Sequence, residues 1–227
     1  MFLTKDNNIK WKFLGGAIAL VLLFCGLGVF WLDRPLLELF RNFDFAGWKI
    51  FDILFSFKMW IIVSGFIFAV TFAMRRIRRK AGKWYSVELQ ILLNTARMVF
   101  LSVLIAGIVT GALKILIGRV RPVLWEALGQ TGFYPLHKEW VFNSMPSGHT
   151  AASFAGLVMI GLLFPRIKWV TWTLAVVIGI SRICMGEHWP TDVLLGAFIG
   201  MAAAELIKFA YAKLINSARV TRALRAE

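Results

Sequence analysis

Six apolar stretches organise this chain: residues 13–32, 53–74, 91–113, 150–164, 169–183 and 192–212. An α-helix needs about 20 apolar residues to cross the hydrocarbon core of a bilayer. Backbone polar groups in lipid must be satisfied within the protein, and a single run of this length can do so only as a helix. The fold class that follows is all-α: a polytopic membrane bundle of about six transmembrane helices, read as one domain over residues 1–227. With 59% hydrophobic and 17% charged residues, the chain has too few charges to cover a water-facing surface. A soluble globule and a disordered chain are both excluded. The first run, Phe13 to Leu32, exceeds a signal-peptide core, and Asp33-Arg34-Pro35 follows it in place of a small-residue cleavage site. It reads as a retained span. Residues 33–50 are mixed and amphipathic, and predict a short helix lying at the interface. Stretches four and five would reach only about 22 Å, short of the roughly 30 Å core. Either these helices extend further or their polar ends sit among the headgroups.

The charges are lopsided, with 26 Lys+Arg against 12 Asp+Glu and a net charge of +14. Cytoplasmic loops of membrane proteins carry the excess of Lys and Arg. With six spans and the N-terminus inside, the inner segments 1–12, 75–90, 165–168 and the tail hold sixteen basic residues against Asp6, Glu88 and Glu227. The outer segments balance eight basic residues against eight acids, among them Asp33, Asp44, Asp52 and Glu187. Both termini are therefore expected in the cytoplasm. The dense basic run over residues 75–83 sets topology and meets anionic lipid, in preference to binding nucleic acid. Cys25 and Cys184 form no CxxC and no Cys/His cluster, so neither a disulfide framework nor a metal site is expected.

Three polar clusters fall on the predicted outer side: Lys114 to Pro122, Pro146-Ser147-Gly148-His149, and Ser181 to Asp192. Lys114, Arg121 and Arg182 supply three fixed positive charges, two of them guanidinium forks suited to phosphate oxygens. Ser147-Gly148 precedes an apolar helix, where backbone N–H groups can face an anion, and Gly148 permits close approach. His149 and His188 provide the nucleophile and the proton donor that cleavage of a phosphate ester requires. Asp192 follows His188 by four residues, so one helical turn would bring its carboxylate to the imidazole.

These segments resemble the K-x6-R-P, P-S-G-H and S-R-x5-H-x3-D signature of the type 2 phosphatidic acid phosphatase (PAP2) superfamily. Every signature position is present over roughly residues 110–200. The resemblance implies that His188 attacks phosphorus and forms a phosphohistidine. It implies that His149 protonates the departing alkoxide and then activates water, and that Asp192 orients His188. Lys114, Arg121, Ser147, Gly148 and Arg182 would hold the phosphate and the five-coordinate transition state. It further implies a metal-independent lipid phosphatase without a cofactor. The substrate would be phosphatidic acid, phosphatidylglycerophosphate, undecaprenyl pyrophosphate or a lipid A phosphate. Family habit suggests a bacterial inner membrane with a periplasmic active site.

Two other functions fit the same residues: a phosphotransferase passing the phosphoryl group to a lipid acceptor, and a non-enzymatic lipid-binding or transport protein. Arg119 lies outside the signature and reads as an interfacial charge; Glu187 reads as facing water. His137 and Glu139 read as solvated loop residues, while Lys58 and Arg97 are expected to snorkel. Gly107-x3-Gly111 and Gly196-x3-Gly200 predict close helix packing within the chain, with a dimer face as the other possibility; monomer and homodimer stay open.

Overall fold

A computed structural model describes residues 9–43, 45–82 and 86–224, with side chains through residue 214. Lys5, Asp6, Asp44, Lys83, Arg225 and Glu227, which enter the charge count, lie outside the described residues. Nine α-helices follow one another among the described residues: α1 (Trp11–Trp31), α2 (Asp33–Arg41), α3 (Trp48–Leu54), α4 (Phe57–Lys80), α5 (Val87–Ile117), α6 (Pro122–Leu128), α7 (Gly148–Leu163), α8 (Lys168–Cys184) and α9 (Pro190–Leu224). Five helical segments are long and apolar enough to cross a membrane: α1, α4, α5, α8 with the turn before it, and α9. The sixth apolar stretch is α7.

The six predicted stretches thus correspond to α1, α4, α5, α7, α8 and α9. The two short ones resolve differently. A 3-10 turn over Pro165–Ile167 leads into α8 and brings that segment to 20 residues. By contrast, α7 remains 16 residues long, or about 24 Å. Its position explains why it can be short. From Thr150 to Met159 every residue is buried, packed against α5, α8 and α9. A helix that is apolar all round and enclosed by others presents little surface to lipid, so bilayer thickness does not set its length. The core follows this arrangement: Val99, Val103 and Ala106 of α5, Ala155, Val158 and Met159 of α7, Ile178 of α8 and Ala204 of α9 form one cluster.

Glycine sets the closest approach. A Cβ on Gly196 would lie 2.5 Å from the Ser147 carbonyl oxygen, and one on Gly200 would lie 2.3 Å from that of Ala151. Backbone of α9 therefore rests directly on backbone of α7, as the Gly196-x3-Gly200 spacing predicts. The other pair behaves unevenly. Gly107 makes room for the Phe57 ring, 2.1 Å from where its Cβ would be, whereas Gly111 faces open space.

The 33–50 segment differs from expectation. Two helices, α2 and α3, replace the single interfacial one, with a break around Gly47. A Cβ at Gly47 would lie 2.1 Å from the Phe45 ring, so glycine leaves room for that ring beside the start of α3. α2 is also anchored at its start: Asp33 is 1% exposed and Leu37 fully buried. Arg97 lies over the Tyr211 ring of α9, 4.7 Å from its centre, while Lys58 is exposed at the start of α4.

Candidate active site

The chain order of the helices brings the three polar clusters to one end of the bundle. The last turn of α5 carries Lys114, and Gly118 then ends that helix with φ +61°. A side chain there would collide with the Tyr134 carbonyl oxygen, 1.8 Å from a Cβ. The left-handed turn releases an extended segment, Arg119 to Arg121, before Pro122 opens α6. Ser147 precedes α7, Arg182 ends α8, and the loop through Gly186, with φ +70°, delivers Glu187 and His188. Asp192 stands in the first turn of α9.

The three cations converge on the same loops. Lys114 Nζ donates to the carbonyls of Asn143 (2.5 Å) and Ser144 (3.2 Å). Arg121 lies over the Trp140 ring at 4.1 Å and donates to the carbonyls of Trp140 (3.0 Å), Glu187 (2.9 Å) and Asn143 (3.3 Å). Burial pulls the Arg121 guanidinium down to about 10, so it still carries its charge at neutral pH. Arg182, 4% exposed, donates to the Asp52 carboxylate. Two carboxylates thus sit on the proposed phosphate-binding cations. Asp52 pairs with Arg182 and, at 3.1 Å, with His149 Nε2. Glu187 Oε2 is 3.1 Å from Arg121 and 3.8 Å from Arg182. Glu187 therefore does more than face water, correcting the sequence reading.

His188 is 2% exposed, and its Nδ1 faces Asp192 Oδ2 at 3.5 Å, beyond the range of a well-formed hydrogen bond, so that Nδ1 is buried without a hydrogen-bond partner among the described residues. Burial holds this imidazole well below its ordinary 6.5, and the charges of Lys114 and Arg121 push the same way against the pull of Asp192. The ring is consequently neutral at pH 7, the form in which an imidazole is a nucleophile. The pairing arises otherwise than the i,i+4 spacing suggests. His188 lies in the loop before α9, and Asp192 reaches back from the first helical turn, accepting from Trp189 N at 2.9 Å. Ser147 is fully buried; its N–H donates to the Asp192 carbonyl (2.9 Å), and its hydroxyl accepts from Thr150 Oγ1 (2.9 Å). The N–H groups of Gly148 and His149 precede the first intrahelical bond, which runs from Ala151 N to Ser147 O. His137 and Glu139 are exposed, as expected of loop residues.

Arg119 corrects the sequence reading outright. It is 5% exposed and inside the protein. Its guanidinium bridges two buried carboxylates, donating to Asp192 Oδ1 at 2.6 Å and to Asp33 Oδ2. Ser144 Oγ donates to Asp192 Oδ2 at 2.5 Å. Asp33, Asp52, Ser144 and Thr191 belong to the site region and were not singled out from sequence. Asp33 and Asp52 lie 86 and 130 residues from their arginine partners. Local spacing cannot reveal such pairs. The Gly118-Arg119 step beside the signature arginine was the one available hint.

A helical membrane fold with this constellation defines a class, and comparison identifies the family. The PAP2 superfamily profile matches residues 95–215, more than half of the chain, and the chain belongs to that superfamily. It is 33% identical over 114 residues to a lipid A 1-phosphatase of Rhizobium etli, covering 50% of this chain and 49% of that protein. It is 30% identical over 98 residues to an undecaprenyl-diphosphatase of Sulfolobus acidocaldarius, covering 41% and 48% respectively. The chain thus spans about half the length of these curated relatives. The fold is similar to the crystal structure of a transmembrane PAP2-type phosphatidylglycerolphosphate phosphatase from Bacillus subtilis. The TM-score is 0.58 at 20% identity, over 88% of this chain and 96% of that one.

Proposed function

We propose that this chain is an integral-membrane lipid phosphatase that works through a phosphohistidine on His188. The observation that carries the reading is the meeting, at one end of the bundle, of a buried neutral His188, a second histidine and three cations. Lys114, Arg121 and Arg182 would bind the phosphoryl oxygens, joined by the Gly148 N–H that opens α7 and by the Ser147 hydroxyl, the Ser147 N–H being held by the Asp192 carbonyl. His188 would attack in line and release the alkoxide, which His149 protonates; His149 would then take a proton from the water that cleaves the phosphohistidine. Asp192 would stabilise the imidazolium character that develops on His188. The chemistry as drawn calls on no metal or cofactor. We read the whole chain as one domain in a bacterial inner membrane, with both termini cytoplasmic and the site on the periplasmic face. The charge bias supports that orientation.

Among candidate substrates, lipid A bearing a 1-phosphate ranks first because lipid A 1-phosphatases are among the relatives. Undecaprenyl pyrophosphate comes next, followed by phosphatidylglycerophosphate and phosphatidic acid. The test is phosphate release by the purified protein in detergent across these four lipids. Release from at least one, blocked by vanadate as a five-coordinate phosphorus mimic, is the expected result. Silence across the panel would falsify the reading.

The Asp52 carboxylate occupies the position between Arg182 and His149 that a phosphate oxygen would take. Asp52→Asn removes a competing negative charge while keeping the shape. Its inhibition constant for inorganic phosphate is expected to fall by roughly fivefold, about the coupling of one partly exposed ion pair. A phosphate inhibition constant that rises or holds still would show that Asp52 does not compete for this position.

A further inference from the structure

We propose that Arg119 and Asp33 are positioning residues for phosphoryl transfer, fixing the Asp192 carboxylate behind His188. The proposal rests on the phosphatase reading above and adds two residues to it.

The observation is a continuous buried network. Asp192, fully buried, accepts from three donors: Arg119 at 2.6 Å on Oδ1, and Ser144 Oγ at 2.5 Å and Trp189 N at 2.9 Å on Oδ2. The other arm of Arg119 reaches Asp33. That carboxylate accepts Thr191 N at 2.9 Å and Thr191 Oγ1 at 2.7 Å, closing a ring with the bond of 2.7 Å from Arg119 to Thr191 Oγ1. The Arg119 side chain is 6% exposed, and those of Asp33 and Asp192 are 1% and 0% exposed. Trp189 flanks the guanidinium, its ring centre 5.3 Å away. Two carboxylates in this setting require the cation between them, because uncompensated charge has no access to water.

The chemical consequence concerns direction. Arg119 takes Oδ1, and Oδ2, held by Ser144 Oγ and Trp189 N, is the oxygen turned towards His188 Nδ1, 3.5 Å away and close enough to pair with it as charge develops on the ring. A carboxylate held by three fixed donors cannot rotate to follow the imidazole; it defines where the imidazole must stand. Asp33 in turn holds Arg119, so a residue at the corner between α1 and α2 sets the attack geometry at the start of α9. Only a planar fork spans two carboxylates in this way, and lysine cannot reproduce it.

The test uses the full chain in detergent, with dioctanoyl phosphatidic acid as substrate probe and inorganic phosphate as competitive ligand. Arg119→Lys retains the charge and loses the bridge. Its kcat is expected to fall by roughly 100-fold, the order of loss from misplacing a reacting group by about an ångström. KM and the phosphate inhibition constant should stay within about twofold, because Lys114, Arg121 and Arg182 are untouched. In an Asp192→Asn background the same substitution should cost less than about threefold, since its route of action is already removed. Should Arg119→Lys fail to fold, Asp33→Asn gives the second reading: a kcat loss of about tenfold with phosphate inhibition retained. Retained kcat, an undiminished loss in the Asp192→Asn background, or joint loss of kcat and phosphate inhibition overturns the proposal and leaves the network a scaffold. A wild type that releases no phosphate from this probe or from the four lipids sinks the phosphatase reading and this proposal together. A wild type that turns over while the variants keep pace sinks this proposal alone.

Discussion

Replacing His188 by alanine is expected to lower kcat by at least about 10⁴-fold, the scale seen when a covalent nucleophile is removed. The expectation follows from the division of labour in the site. Lys114, Arg121 and Arg182 can still bind phosphate, but no neutral side chain replaces the buried imidazole beside Asp192. Substrate affinity should therefore survive while turnover disappears. Initial rates of phosphate release measure the first effect, and inhibition or binding by inorganic phosphate measures the second. Wild-type protein turning over radiolabelled substrate and quenched in alkaline detergent, where a phosphoramidate survives, should carry label on histidine; His188→Ala should carry none. Activity within tenfold of wild type, or label that persists, would assign the nucleophile elsewhere.

His149→Ala is expected to separate the two halves of the reaction. For a lipid phosphate, the departing alkoxide needs a proton, so turnover should fall by about 10²–10⁴-fold, the usual contribution of a positioned acid–base group. For p-nitrophenyl phosphate the leaving group needs no proton. Its first step should be nearly spared, while hydrolysis of the phosphohistidine still lacks its base. The expected signature is a burst of nitrophenolate close to one equivalent per protein, followed by a slow phase, with label accumulating on His188. Equal losses on both substrates without a burst would make His149 part of phosphate binding only.

The apolar runs and the signature segments made most of this legible beforehand. The apolar runs located six apolar helices, five of them long enough to cross a membrane, because in lipid the backbone leaves few alternatives to a helix. Gly196 and Gly200 announced their contact because helices that approach closely in a membrane require small residues. The same logic failed at Gly111, where the spacing exists and no neighbour arrives. Charges were harder. The sequence marks Arg119 and Asp33 as polar residues near span ends, and the interface is the ordinary place for such residues. Their burial depends on a fold that brings residue 33 against residues 119 and 191, which no local pattern encodes. Asp52 and Glu187 were counted as outer acids for the same reason. The break between α2 and α3 escaped because a hydrophobic pattern reads continuously across it.

The contact between Gly196 and Ser147 has a consequence for how the two halves of the chemistry stay in step. Ser147 stands next but one to His149, and Gly196 lies nearly two turns into the helix that follows the His188 loop and carries Asp192 in its first turn. The proposed acid and the partner of the proposed nucleophile are thus carried on two helices whose spacing at Gly196 is gauged by backbone atoms alone. Thermal motion in the surrounding lipid can tilt the pair together far more easily than it can part them. Sequence drift on the lipid-facing surfaces of α1 and α4 can proceed without disturbing this contact, while a single added methyl there would shift His149 relative to Asp192 and the His188 loop.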